Sequence, residues 1–367
     1  MVLNHKKISV YLKAGERAAT SYYRFYQFFY LLDAEVNYNL MIPDSKWKAF
    51  FPIARHSKWK QVYIFFFIYF RVLGNLLLDL VRKPDCIVVS RCIINKALPL
   101  SFKYLLKLQK NNGSKIIWDF DDNIIGAEIT KSNFDWFSDI ANVIVVGSPL
   151  LKDMIRKKDR EKTIILPTTD GDMHYLLTND IMEERINSFE KFLKVIWVGT
   201  FSTLKYVEEI TEAFEIAGNI LAEQGKKLQL TIVCDKELKY KPNTFELINI
   251  KWDKQTAINQ LLYSHVGIMP LENNEITRGK CGFKLIQYLS VGLPVIGSTV
   301  GMNSLIIRDN VGIGVNELNI DLWTDSILKN AESIERWCKY SRNAYKEWEK
   351  LYSYDTNMLK WKDILKS

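Results

Sequence analysis

The chain has 367 residues, of which 48% are hydrophobic and 25% charged, and its formal net charge is +8. This length predicts about two domains, because single cores rarely outgrow about 250–300 residues, and the composition excludes a disordered or fibrous protein. Five cysteines without a Cys-x-x-Cys pair argue against a metal or disulfide framework and favour a reduced, cytoplasmic environment.

Short apolar runs alternate with helix-length stretches through the first half of the chain. The runs are KISVYL, CIVVS, KIIWDF, NVIVVGS and TIILP. Such alternation predicts βαβ units around a parallel sheet. We therefore expect an α/β domain over residues 1–170.

The segment from Gln61 to Val81 is almost entirely apolar and is close to the roughly 20 residues that cross a bilayer. Its polar residues recur at helical spacing and define one stripe: Arg71, Asn75, Asp79 and Arg82. The pattern predicts a mostly apolar helix with one solvated polar side rather than a membrane span. Core packing is the simplest role for such a helix.

Positive charge is concentrated between Lys46 and Lys110, a stretch that contains thirteen Lys and Arg residues and only two acidic residues. Aromatic residues are interleaved with these cations, a combination typical of proteins that bind an anionic membrane surface. Basic and aromatic surfaces also bind single-stranded nucleic acid, but the sequence has no RNA-recognition, zinc-finger or helix-turn-helix signature. We expect no nucleic-acid partner, and a merely solvated basic face stays open as an alternative.

The strand rhythm restarts after a polar stretch, with KVIWVGT, LQLTIVC, VGIMPL and LPVIGS. We predict a linker at 171–192, a second α/β domain over 193–335, and terminal helices over 336–367, where aromatic and charged residues are interleaved. Parallel α/β sheets bind ligands at the carboxyl ends of their strands, so the strand-to-helix junctions are the first places to look for a site.

The first such junction is WVGTFSTLKYV. Gly199 ends a strand, and Ser202 and Thr203 precede a helix whose free N–H groups and dipole attract an anion. Lys205 adds a positive charge one turn into that helix. The competing interpretation is that Ser202 or Thr203 only caps the helix.

The second junction is RGKCGFKLIQYLSVGLPVIGS. It surrounds Gly279 and Gly282 with three cations, Arg278, Lys280 and Lys284, just before a predicted helix. Three cations at one helix start repel one another unless an anion joins them, and a diphosphate supplies that charge. A solvated cationic loop is the alternative, but two such junctions in one domain favour a nucleotide diphosphate.

Other candidate residues have two interpretations each. In WDFDDN, Asp119 and Asp121 resemble a carboxylate pair that binds a divalent metal, yet we favour acceptor hydroxyl binding, with Asp122 as a helix cap. A plain structural turn is the alternative for this motif. Arg24 either contacts an acceptor phosphate or is a surface residue among packed aromatics. Trp252 either stacks on a base or is buried.

Walker, HExxH and GxSxG motifs are absent from the sequence, which disfavours NTPase and hydrolase functions.

These motifs together resemble one known family. KCGFKLIQYLSVGLPVIGSTVGMN is similar to the donor-site signature of family four glycosyltransferases of the GT-B fold, and WVGTFSTLKYV is similar to their glycine loop. Four segments of the first half resemble N-domain segments of family members from bacterial polysaccharide synthesis. They are YYRFYQF, KIIWDFDDNI, NVIVVGSPLLKDM and IILPTTD. The resemblance is strong from Val195 to Asn303 and weak from Lys46 to Val81.

The resemblance implies two Rossmann-like domains facing a cleft, with the C-terminal domain binding a nucleotide sugar, the N-terminal domain binding the acceptor, and the terminal helices crossing back toward the N-terminal domain. It also implies retention of anomeric configuration, UDP- or GDP-sugar as co-substrate, and no cofactor or metal. The catalytic residues it implies are Arg278, Lys280 and Lys284. The donor-binding residues are Gly199, Thr200, Ser202, Thr203, Lys205, Trp252, Gly282, Phe283 and Gln287, and the acceptor-binding residues are Arg24, Asp119 and Asp121.

The sequence departs from the family pattern at three positions. Thr200 stands where many members have an arginine, and Gly279 and Gln287 stand where they have a pair of glutamates. We expect a hexosyltransferase that acts on a glycan, most simply a lipid-linked one, at the inner face of the cell membrane in capsule, O-antigen or exopolysaccharide assembly. A nucleotide-sugar epimerase and a non-catalytic, membrane-associated nucleotide-sugar-binding protein are the alternatives.

Overall fold

The computed structural model describes residues 6–16, 18–51, 53–308 and 310–366. The chain divides into two compact units. Unit 1 comprises Met1–Thr168 and Asn357–Ser367, and unit 2 comprises Thr169–Thr356. Each unit contains a six-stranded sheet in which every paired strand is parallel to its neighbour.

Unit 1 has the sheet order β2-β1-β3-β4-β5-β6. Its strands are β1 (Lys6–Leu12), β2 (Ala34–Leu40), β3 (Cys86–Ser90), β4 (Lys115–Phe120), β5 (Val143–Val146) and β6 (Thr163–Ile165). Its helices are α1 (Ala19–Ser21), α2 (Gln27–Phe29), α3 (Asp44–Phe50), α4 (Lys58–Arg82), α5 (Leu100–Asn111), α6 (Lys131–Ile140) and α7 (Pro149–Met154), with a π-helical turn, Tyr22–Tyr26, between α1 and α2.

Unit 2 has the sheet order β12-β11-β10-β7-β8-β9. Its strands are β7 (Phe192–Val198), β8 (Lys227–Cys234), β9 (Glu246–Lys251), β10 (Val266–Met269), β11 (Val295–Ser298) and β12 (Gly312–Val315). Its helices are α8 (Asn179–Phe189), α9 (Phe201–Glu208), α10 (Thr211–Glu223), α11 (Lys254–Leu262), α12 (Glu275–Arg278), α13 (Phe283–Ser290), α14 (Asn303–Ile306), α15 (Ile320–Ala331) and α16 (Ile334–Leu351). The last helix of the chain is α17 (Tyr354–Lys366).

The predicted parallel sheets are confirmed, and burial explains why the sequence signal was clear. All five residues of β3 and all four of β10 are buried, because helices cover both faces of a parallel sheet. Such strands read as continuous apolar runs. Residues 179–189, inside the stretch predicted as a linker, form α8 and belong to unit 2.

The predicted long apolar helix exists as α4, but its expected polar side is only partly solvated. Arg71 and Arg82 are exposed, whereas Asp79 is buried and its Oδ2 accepts a hydrogen bond from Tyr11 Oη at 2.7 Å. The solvated side of α4 is instead largely apolar. Its exposed apolar residues are Trp59, Val62, Tyr63, Phe65, Phe66, Phe70, Leu77, Leu78 and Val81.

The opposite stripe of α4 packs into the core of unit 1. It consists of Ile64, Ile68, Val72 and Leu76, and these four side chains are at most 6% exposed. By length and composition α4 could cross a membrane. Its buried stripe instead ties it to the sheet of unit 1, and its outer face leaves a broad apolar surface exposed.

The end of α17 belongs to unit 1. Trp361 is fully buried, with its ring centroid 5.7 Å from that of Phe25 and 5.1 Å from that of Phe29. Lys6 Nζ donates to the carbonyl of Leu365 at 2.7 Å, which satisfies a backbone oxygen at the helix C-terminus. The last helix is therefore an integral part of this unit although it follows unit 2 in sequence.

Candidate functional site

The first predicted junction lies where β7 ends and α9 begins. Thr200 is the N-cap of α9 and its side chain makes no capping hydrogen bond, so the competing interpretation that Ser202 or Thr203 serves as the cap is wrong. The hydroxyls of Thr200 and Ser202 lie 3.0 Å apart, and Thr203 Oγ1 donates to the Thr200 carbonyl at 3.2 Å. The backbone N–H of Phe201 donates to Asp235 Oδ1 at 3.3 Å.

The second junction is the start of α13. Gly282 is its N-cap in the left-handed region, with φ +69, and a Cβ there would lie 2.5 Å from Ile306 Cδ1. Both constraints require glycine. The helix that begins at Phe283 is confirmed, and it places Lys284 in its first turn while Leu285 and Ile286 pack into the core.

Lys284 brings the two junctions together. Its Nζ lies 3.4 Å from Thr203 Oγ1 and 4.9 Å from the centroid of the Trp197 ring. A Cβ at Gly199 would lie 2.8 Å from Lys284 Nζ and 2.4 Å from the Trp197 ring, so only glycine fits at this turn. The glycine loop and the cationic helix start, 81 residues apart in the chain, therefore form one site at the carboxyl edge of the unit 2 sheet.

The other predicted cations make different contacts. Arg278, at the end of α12, is exposed and donates from Nε to Asn273 Oδ1 at 2.6 Å. Lys205 is exposed, with its Nζ 4.8 Å from the Tyr206 ring centroid. Lys280 is half-buried between α12 and α13. Lys284 is thus the predicted cation that the structure places against the glycine loop.

Gln287 lies one turn beyond Lys284 on α13 and has a partner that the sequence did not predict. Its Nε2 donates to Asp170 Oδ2 at 2.9 Å, and the other oxygen of Asp170 accepts from the backbone N–H of Asp172 at 2.9 Å. Asp170 is fully buried, and this burial raises its pKa. Because 117 residues separate Asp170 from Gln287, no local pattern could have indicated the pair.

Trp252 follows β9 and is 50% exposed, so the expectation of a buried indole is wrong. Its neighbour Asp253 caps α11 by accepting from the backbone N–H of Thr256 at 3.0 Å. The indole therefore stands at the carboxyl edge of the sheet, on the strand next to β8. This position suits stacking on a planar ligand, which stays a prediction.

At the carboxyl edge of the unit 1 sheet, the predicted acceptor residues form buried ion pairs. Arg24 and Asp119 are each 1% exposed and form a two-bond ion pair. Arg24 also donates to the Leu166 carbonyl and to Thr168 Oγ1. The π-helical turn places Arg24 here, and such turns are frequent at functional sites.

Asp121 belongs to an adjoining network centred on Arg91. Arg91 contacts Asp121 at 2.6 Å, Asp122 at 2.7 Å and Glu128 at 2.8 Å. The expectation that Asp122 caps a helix is therefore wrong: the next helix begins at Lys131, with Thr130 as its cap. Here the carboxylates of the WDFDDN motif are neutralised by arginines, and their role in acceptor binding stays a prediction.

Within residues 6–16, 18–51, 53–308 and 310–366, no group of three or more His, Cys, Asp or Glu side chains is arranged to hold a metal ion. In WDFDDN, the arginines Arg24 and Arg91 occupy the positions around the carboxylates where a cation would bind. The motif thus fits an internal salt-bridge network.

Known proteins resemble this chain in fold rather than in sequence. No family model and no curated protein matches it. A glycosyltransferase from Rickettsia africae ESF-5 superposes with a TM-score of 0.63 at 14% identity, covering 99% of this chain and 98% of that one. Anabaena Alr3699/HepE in complex with UDP and glucose superposes with a TM-score of 0.61 at 11% sequence identity. The match covers 99% of this chain and 100% of that one.

A third structure, sucrose-phosphate synthase from Thermosynechococcus elongatus, has a TM-score of 0.60 at 11% identity and covers 98% of both chains. The chain has the GT-B fold. Its two Rossmann-like units, each with six parallel strands, confirm the fold expected from the resemblance. In this GT-B chain the converging junctions described above lie in unit 2, the C-terminal of the two units.

Proposed function

We propose that this protein is a glycosyltransferase that takes its sugar from a nucleotide diphosphate sugar bound by unit 2. The observation that carries the proposal is the position of Lys284 Nζ, 3.4 Å from Thr203 Oγ1 and against the backbone of Gly199. An ammonium group, a hydroxyl and a closely approachable glycine backbone at two helix starts together suit a diphosphate. One structural neighbour, HepE, has been solved in complex with UDP-glucose, which supports the same donor class.

Catalysis would come from charge stabilisation at this site. Negative charge develops on the diphosphate as the sugar–phosphate bond breaks, and donors fixed beforehand stabilise it without reorganising. Lys284 supplies the fixed positive charge, and two more come from the exposed Arg278 at the end of α12 and the half-buried Lys280 between α12 and α13. We propose a retaining reaction in which these cations neutralise the leaving group without a metal ion.

We further propose that unit 1 binds the acceptor and docks on an anionic membrane at the cytoplasmic face. The basic stretch from Lys46 to Lys110 and the exposed apolar face of α4 support this, because cations and apolar side chains together favour such a surface. A lipid-linked glycan of capsule, O-antigen or exopolysaccharide assembly is an acceptor that such a surface would reach.

Donor binding can be tested by thermal shift with UDP, GDP, ADP and CDP, with and without EDTA. We expect one nucleotide to stabilise the fold equally in both conditions. The variant Lys284→Ala should weaken that binding by about 1.5–3 kcal/mol, the typical contribution of a hydrogen bond to a charged group. Lys227→Ala, at the amino end of β8 in the same unit, is the matched control and should bind normally.

Absence of stabilisation by any nucleotide at millimolar concentration would remove the proposed donor site. Nucleotide binding without turnover on any acceptor would favour a non-catalytic protein, an alternative to which Gly279 and Gln287 give some weight because they replace the usual glutamates. Conversion of the nucleotide sugar without an acceptor would instead indicate an epimerase.

Membrane docking can be tested separately by cosedimentation with liposomes. Binding should rise with the fraction of anionic lipid and fall with added salt, because screening weakens surface electrostatics. Replacing the exposed Phe70 with Ser should reduce binding without affecting nucleotide stabilisation. Binding that ignores both lipid charge and salt would leave the basic stretch as a solvated face.

A further inference from the structure

An apolar cavity of about 260 Å³ lies in unit 1, where three parallel strands end beside α4. Met41 and Ile42 follow β2, and Ile93 and Ile94 follow β3, so the cavity is at the carboxyl edge of the sheet, where α/β proteins bind ligands. The helix closes the opposite side with Ile64, Ile68 and Phe65. Isoleucine contributes six of the eleven lining residues, so most of the wall is aliphatic.

This lining decides what the cavity can hold. Buried water requires two to four polar partners, whereas cavities lined by leucine, isoleucine and phenylalanine stay dry and accept hydrocarbon. An apolar cavity of about 150 Å³ holds benzene, so by proportion this one has room for about ten carbon atoms. Phe65, which is 37% exposed, belongs both to the cavity wall and to the exposed face of α4. It marks the side from which a chain would enter from that surface.

One charged residue lines the cavity. Lys13, just after β1, is half-buried, and its Nζ lies 5.6 Å from the Phe51 ring centroid. Lys13 takes part in none of the ion pairs between described residues. Gln61 and Asn95 are the other polar residues of the wall. A lysine that lines a mostly aliphatic cavity, and that forms no ion pair with a carboxylate of the described residues, is complementary to an anionic amphiphile.

We propose that this cavity binds the hydrocarbon chain of a single-chain amphiphile whose anionic phosphate head contacts Lys13. The proposal rests on the proposed function, because it assigns the lipid part of the acceptor to a specific subsite of unit 1. It differs from docking on a bilayer surface, since one chain leaves the membrane or solution and enters the protein.

Isothermal titration of the full-length protein with decyl phosphate, below its micellar concentration, tests the proposal. Decyl phosphate should bind, while inorganic phosphate, which lacks the chain, should not. Ile94→Phe fills the cavity and should weaken binding at least tenfold. Lys13→Gln removes the ammonium group and should weaken decyl phosphate about tenfold while leaving decanol unchanged.

Phe70→Ser is the matched control, because Phe70 lies on the exposed face of α4 but does not line the cavity. It should bind decyl phosphate normally. Loss of binding in Phe70→Ser with full binding in Ile94→Phe would place the chain on the outer surface and overturn the proposal. If Ile94→Phe does not fold, Ile68→Phe fills the same cavity from the side of α4 and tests the same loss of decyl phosphate binding.

Stabilisation by UDP provides the independent readout. It depends on unit 2, so the cavity variants should retain it. Decyl phosphate binding without any nucleotide effect would support the cavity and reject the proposed function. Stabilisation by UDP without decyl phosphate binding would support the proposed function and reject the cavity as a lipid site.

Discussion

The two units have similar parallel sheets but treat charge differently at the carboxyl edges of those sheets. In unit 1, buried Arg24 pairs with Asp119, and Arg91 contacts three carboxylates. In unit 2, Lys284 contacts a hydroxyl and an indole ring beside a glycine. Buried ion pairs hold the edge of unit 1 in one conformation, whereas at the edge of unit 2 the N-terminus of α13 adds a helix dipole that favours an anion near Lys284.

The interiors of the two units also differ in how they stabilise a buried charge. In unit 2, the fully buried Arg185 donates to the carbonyls of Leu262, Val291 and Leu261 at 2.6, 2.8 and 3.0 Å. Burial lowers its pKa to about 9. This interior therefore stabilises charge with backbone dipoles, while that of unit 1 uses ion pairs.

Breaking the buried ion pair of unit 1 should have the largest effect. Asp119→Ala removes the carboxylate that pairs with the buried Arg24, and breaking a buried ion pair typically costs about 3–5 kcal/mol of unfolding free energy. Urea unfolding followed by circular dichroism measures this loss. The exposed pair of Lys131 and Asp135 is the matched control, because Asp135→Ala should cost less than about 1 kcal/mol.

The double variant Arg24→Met with Asp119→Leu sharpens the same test. It removes both charges, and apolar replacements of similar volume for buried pairs are often neutral or stabilising. Recovery of most of the lost stability would show that the single variant is destabilised by the buried charge of Arg24 without the carboxylate of Asp119. A single variant as stable as the original chain would contradict a structural role for this pair.

Acidification should weaken unit 2 through His265. Its Nδ1 accepts from the backbone N–H of Lys194 at 3.0 Å, so the neutral ring carries its proton on Nε2, which lies 3.1 Å from the Arg185 carbonyl. Burial lowers the pKa of His265 to about 3. The neutral form is favoured in the fold, so its stabilisation is present above the unfolded pKa of about 6.5 and is lost as pH falls from there towards 3.

Between pH 7 and pH 5 this linkage predicts a loss of about 2 kcal/mol of unfolding free energy. Urea unfolding at the two pH values, followed by tryptophan fluorescence, measures this loss of stability. In His265→Asn an amide oxygen can still accept from Lys194 N–H but does not titrate, so the pH slope should flatten even though the protein is less stable. An unchanged slope would assign the acid sensitivity to other groups.

Sequence patterns predicted those parts of the fold that depend on neighbouring residues. The buried central strands and the start of α13 follow from apolar runs and from glycine chemistry. The edge strand β2, AEVNYNL, was missed because only one of its seven residues is buried, which leaves no apolar run. Periodicity indicated the helix α4, but it could not show that Tyr11 would take Asp79 into the core.

The candidate site was predictable to a similar extent. Gly199, Thr203 and Lys284 were each predicted from local chemistry, and the structure adds that they meet. The pairing of Arg24 with Asp119 could not be predicted, because 95 residues separate the two side chains. The same distance argument applies to Asp170 and Gln287, which are 117 residues apart.

The smallest predicted effect concerns that pair. A carboxylate only accepts hydrogen bonds, so Asp170 holds the amide of Gln287 with its NH₂ group inward and its oxygen available for a ribose hydroxyl. Asp170→Ala should release this orientation and weaken UDP binding by about 1 kcal/mol. UDP lacking both ribose hydroxyls should bind the original chain and the variant equally, and calorimetry of both ligands distinguishes orientation from general damage to the site.

A glutamate at position 287 would place two carboxylates at hydrogen-bond distance, where they repel each other unless they share a proton. Gln287→Glu alone should therefore weaken UDP binding as pH rises above the carboxylate range. Gln287→Glu combined with Asp170→Asn restores a donor opposite the acid and should recover affinity. If the single variant binds UDP as well as the double variant at neutral pH, Asp170 does not determine the residue at this position.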